Sequence, residues 1–88
     1  MLAFEVWVNN ERLCTASTAN HNVVSTILSW ASRRPNDIDF HVGGIAADDL
    51  NYHTDWQTPE IKIGDEIRVR VIDVESYDEP DQRYIPGR

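Results

Sequence analysis

Cysteine is almost missing from this chain: Cys14 is the only one, so no disulfide can form within it and the fold must hold by packing. A single thiol also fits a reducing compartment. The sequence does not open with a basic stretch followed by an apolar run, so no secretory leader is read. Its apolar runs fall far short of the roughly 20 residues that a spanning helix takes. The expectation is a cytoplasmic protein with no membrane partner. Basic residues are scarce, 8 against 15 acids, for a formal charge of −7. The deficit is local: residues 37–66 hold Asp37, Asp39, Asp48, Asp49, Asp55, Glu60, Asp65 and Glu66 against Lys62 alone. Such a field repels nucleic acid and favours basic partners. Also missing are a phosphate-cradling loop, a serine elbow and a basic aromatic strip for nucleic acid.

The 88 residues suffice for one domain, placed at 1–74, followed by an acidic, proline-containing tail at 75–88 that is expected to be partly disordered. Residues 2–8, LAFEVWV, alternate apolar and mixed positions and read as a strand. Asn9-Asn10 suits a two-residue hairpin turn, because asparagine tolerates positive φ. Residues 11–17 are then the return strand. A strict two-residue register sets Trp7 opposite Arg12, Val6 opposite Leu13 and Glu5 opposite Cys14. One hairpin face becomes Phe4, Val6, Val8 and Leu13; the other carries Glu5, Trp7, Arg12, Cys14 and Ala16, with Trp7 and Arg12 placed to stack.

Residues 22–34, NVVSTILSWASRR, match a helical period: Val23, Val24, Ile27, Leu28 and Ala31 form a stripe flanked by Trp30. Asn20 or Asn22 suits the N-cap, Arg33 and Arg34 suit the last turn, and Pro35 closes it. Residues 37–42 alternate as a strand that Gly43-Gly44 ends or bends. Residues 46–59 read as a polar loop that packs down through Leu50, Tyr52 and Trp56. Ile61 and Ile63 suggest a short strand and Gly64-Asp65 a turn. Ile67, Val69 and Val71 line the core face of a long last strand, with Arg68, Arg70 and Ile72 opposite. The expected fold is α+β, a mixed sheet of four to five strands with one helix across it in the order β-β-α-β-β-β. The first and last strands lie parallel at its centre. The helix covers Phe4, Val6, Leu13, Ile38 or Phe40, Val69 and Val71.

This layout, with VNNERL after the first strand and IKIGDEIRV near the end, resembles the β-grasp fold of ubiquitin-like proteins, and within it the sulfur carriers. The chain also looks like small bacterial proteins with a VNGE-type opening and a W…P…VGDE close, a likeness that implies no function. Sulfur carriers end in Gly-Gly for activation. This sequence ends Ile85-Pro86-Gly87-Arg88, and its Gly43-Gly44 is internal, so a carrier is the least favoured reading.

Chemistry is weighed residue by residue. Cys14 with His41 or His53 as base would make a nucleophile, but a mid-strand thiol reads as structural. His41, His53 and Asp55 lie in different elements and lack the tight spacing of a zinc site. No catalytic residue, metal or cofactor is assigned. Tryptophan and arginine are favoured interface anchors. The expectation is therefore a non-catalytic interaction module that binds a protein partner or itself through Trp7, Arg12, Cys14, Asp48, Asp49 and Trp56. An acidic inhibitor of a basic partner is the alternative.

Overall fold

The computed structural model describes residues 1–87. Alternation in residues 2–8 does build a strand, β1 (Leu2–Val8), which turns into β2 (Glu11–Ser17). Asn9 and Asn10 have φ of 51° and 69°, the pair of left-handed residues a two-residue hairpin needs so that the turn follows the strand twist. Trp7 does face Arg12, but a β-bulge then shifts the register, and Val6 faces Cys14 rather than Leu13. One extra residue in β2 exchanges its faces. Cys14 and Ala16, not Leu13, thereby join Val6 in the core, where they are buried.

The α+β, β-grasp-like expectation is corrected. Among the described residues there is no helix. The elements are seven strands: β1 and β2, then β3 (His21–Trp30), β4 (Ile38–Ala46), β5 (His53–Trp56), β6 (Ile67–Asp73) and β7 (Gln82–Tyr84). They form two antiparallel sheets, ordered β2-β1-β6 and β3-β4-β5-β7. The stretch read as a helix is β3. Four of its residues, Val23, Val24, Thr26 and Ile27, are β-branched, which costs χ1 freedom in a helix and fits a pleated surface. It pairs with β4 from His21↔Ala46 to Trp30↔Ile38. β4 lies inside its sheet, and its backbone groups need partners along both edges; β3 supplies one edge and β5 the other from Val42 to Ile45.

Gly43-Gly44 does not end β4. A Cβ on Gly43 would lie 2.6 Å from the Thr54 carbonyl oxygen and 2.8 Å from Asp55 Oδ1; one on Gly44 would run into the Val23 carbonyl oxygen and lie 2.9 Å from His21 Cδ2. The glycines allow the neighbouring strands to close on β4. The segment expected as a polar loop contains β5, which buries Trp56. Ile61 and Ile63 form no strand: Ile61 enters the core while Ile63 is 98% exposed. Gly64 turns the chain with φ of 97°, and Asp65 closes the turn by accepting from Lys62 N–H at 2.7 Å.

β6 runs antiparallel to β1, at the rim of its sheet, and not parallel at the centre. The two sheets share one core made by Val6, Cys14 and Ala16 from one side, Phe40, Val42 and Trp56 from the other, and Ile61. They overlap only in part, so the body is flat, 37 × 33 × 16 Å. Val69 and Val71, expected in the core, overhang it and stand 39% and 66% exposed. Residues 75–84, read from the sequence as a polar tail, cross from β6 to the other sheet. Asp78 N–H donates to the Thr15 carbonyl and Asp81 N–H to the Asp55 carbonyl, and β7 then pairs with β5.

Candidate protein-interaction surface

The structure separates the residues selected from the sequence. Trp7 and Arg12 do share the outer face of the three-stranded sheet, but they do not stack on each other. The Arg68 guanidinium lies 5.0 Å from the centroid of the Trp7 ring, and the Trp7 indole N–H donates to Glu5 Oε1 at 2.8 Å. Glu5 also accepts from Arg70 at 3.2 Å. Arg12 turns instead to Asp78, 2.7 Å away, and to Thr15 Oγ1 at 2.9 Å. This ion pair raises the Arg12 pKa and holds the Asp78 carboxyl below its ordinary range.

Cys14 and Trp56 are core residues with almost no surface to offer. Burial, then the Asp78 charge, pushes the Cys14 thiol up to about 11. Trp56 donates its indole N–H to the Asp78 carbonyl at 2.8 Å. Asp48 pairs with Arg83 at 3.1 Å, and Arg83 in turn covers the Tyr52 ring. Asp49 Oδ1 accepts from the Asn51 N–H inside the following turn. The acidic loop thus belongs to the four-stranded sheet, apart from the Trp7 face.

Two polar clusters stand out. On the outer face of the four-stranded sheet, His41 Nε2 lies 2.5 Å from Asp55 Oδ1, with the Tyr84 hydroxyl 3.4 Å from the same oxygen. Burial, then the Asp55 charge, raises the Tyr84 pKa. A cleft of about 640 Å³ is lined by His21, Asp48, Thr54, Glu79 and Arg83. Its polar groups largely serve one another: His21 bonds Thr54 Oγ1 and the Ala19 carbonyl, both at 2.8 Å, and Arg83 holds Asp48.

The larger anomaly lies at the sheet edges: of the long strands that pair on one side only, β2 has its outer edge met at Thr15 by Asp78, whereas β6 and β3 have no such cover. The hydrogen-bond phase of β6 follows from its two ends. Met1 and Val74 exchange backbone bonds at 2.8 Å, and Asn9 N–H donates to the Glu66 carbonyl at 2.9 Å. In an antiparallel ladder bonded pairs alternate with non-bonded ones. Ile72, Arg70 and Arg68 therefore point their N–H and C=O groups at β1. Those of Ile67, Val69, Val71 and Asp73 point to the open edge. The same two valines present bare side chains on one face, while Arg68 and Arg70 occupy the other. The alternation of this RVRV stretch is plain in the sequence; what periodicity could not reveal is that its apolar face overhangs the core.

No family model, curated protein or solved structure matches the chain. No helix is long and apolar enough to cross a membrane among the described residues.

Proposed function

We propose that this chain is a non-catalytic protein-interaction module that takes an extended segment of a partner protein as an added strand on the open edge of β6. The observation that carries this reading is the coincidence, on one strand, of unpaired backbone groups, exposed Val69 and Val71, and the exposed cations Arg68 and Arg70. Main-chain bonds would supply affinity and the alternating side chains specificity. The fitting partner segment alternates apolar residues, facing Val69 and Val71, with acidic ones, facing Arg68 and Arg70. Trp7 supports the cationic side by carrying Arg68 on its ring.

The probe is a capped synthetic peptide of alternating glutamate and valine, titrated into isotope-labelled protein. Binding is expected to shift the amides of Ile67, Val69, Val71 and Asp73 and to weaken with salt. The double substitution Arg68→Glu and Arg70→Glu is expected to lower affinity about tenfold, two cross-strand charge pairs at ~0.5–1 kcal/mol each. Equal binding of a lysine–valine peptide, or shifts confined to other strands, would overturn the reading.

A further inference from the structure

The second open edge, β3, differs from the first in the property that decides self-association. Its ten residues, His21–Trp30, include no Asp, Glu, Lys or Arg. Natural sheets protect long edges with charges, prolines or bulges. β6 carries such protection. Two β6 strands paired about a two-fold axis centred on Val69 or Arg70 would set arginine against arginine, which is destabilising. β3 has one irregularity at its start, between His21 and Val23, and from Val23 onward it is regular and bare. Val23, Ile27, Leu28 and Trp30 are exposed, Trp30 by 60%.

We infer that two copies of this chain associate by antiparallel pairing of β3 with β3 across a two-fold axis near Thr26, joining the two four-stranded sheets into one of eight strands. Each copy carries a charge of −7, so any acidic face would repel its equal; β3 is a long edge where approach carries no such penalty. In a continuous sheet the two-fold axis stands perpendicular to it, so like faces stay on the same side. An axis at Thr26 therefore sets Val24 beside Leu28 of the second copy, and the reverse, on the core-side face. Antiparallel pairing also brings the Arg33-Arg34 end of one β3 to the end of the other where Asp48 and Asp49 lie. Arg34 is engaged by Asp37 and Asp39 at 4.0 and 3.8 Å, and Arg33 is the cation left for that contact. The interface is isologous and closes at two copies. It leaves the β6 edge free, so this inference stands or falls apart from the partner-binding reading.

The test is the solution mass of the full chain by sedimentation equilibrium, with Ile27→Lys as the variant. Ile27 lies on the outer face of β3 and is half-exposed, so the lysine is tolerated by the single copy but adds charge to both sides of the paired edge. The expected result is a mass twice the 10.1 kDa of one chain, halved by Ile27→Lys at unchanged circular dichroism. A second measurement does not depend on the variant folding: amide exchange in the native chain, with β3 amides gaining protection as concentration rises while the open-edge amides of β6 do not. A monomer at every soluble concentration would overturn the inference. So would a dimer whose β3 amides exchange independently of concentration.

Discussion

Asp78 joins Arg12 of one sheet to Trp56 of the other: its Oδ2 accepts from Arg12 Nη1 at 2.7 Å and from the Thr15 backbone N–H at 2.8 Å, while its backbone carbonyl accepts from the Trp56 indole N–H at 2.8 Å. One residue of the crossing segment thus ties the edge of β2 to the core tryptophan of β5. Asp78→Ala removes two bonds to a charged group and is expected to cost about 2 kcal/mol in urea unfolding. The pH dependence has a defined sign. The folded Asp78 carboxyl is held below its unfolded value by Arg12, so its stabilisation is present above the unfolded carboxylate pKa and is lost as pH falls through the folded one. The stability difference between native chain and Asp78→Ala is therefore expected to shrink on acidification below about pH 4.

Burial makes Cys14 an unreactive thiol. At pH 8 a group titrating at about 11 is ionised roughly two-hundredfold less than one at the ordinary value of about 8.5. Reaction with an aromatic disulfide reagent is expected to be at least that much slower in the native chain than in urea. Native and unfolded rates within a few-fold of each other would show that the thiol is open to solvent.

The glycines of β4 are held by close approach of neighbouring strands. Gly44→Ala drives a Cβ into the Val23 carbonyl and the His21 ring. Thermal unfolding is expected to report a loss of ~1–3 kcal/mol, the usual range for overpacking.

Val6 and Val71 are both valines on the same face of one sheet, yet Val6 is fully buried and Val71 is 66% exposed. Val6→Thr buries a hydroxyl and is expected to cost about 1–3 kcal/mol. Val71→Thr is expected to stay within about 0.5 kcal/mol of the native chain. Equal losses at both positions would mean that the overhang of β6 does not persist in solution.

The first hairpin was legible because its signals are local. Alternation in residues 2–8 marks a strand, and two asparagines satisfy the positive φ of the turn whatever the rest of the chain does. The Gly64-Asp65 turn was legible for the same reason. The helix reading failed on a degeneracy. Val23, Val24, Ile27, Leu28 and Ala31 satisfy a period of 3.6, and β-branching was the one local hint against it. The unpaired edge of β4, which only the assembled sheet defines, turned that segment into a strand.

Cys14 shows the same division. Its place in β2 is written in the sequence, but a single bulge in β2, between Arg12 and Cys14, moved it from the outer face to the core. Trp56 likewise became a core residue once its loop formed β5. Composition and local pattern determined the lone unbridged thiol, the acidic charge, the first hairpin and the sharp turns, since these depend on neighbours along the chain. Tertiary structure decided which valines are covered, which way the last strand runs and which edges remain open. Burial and strand pairing are set by residues dozens of positions apart, and no periodicity within one segment encodes them.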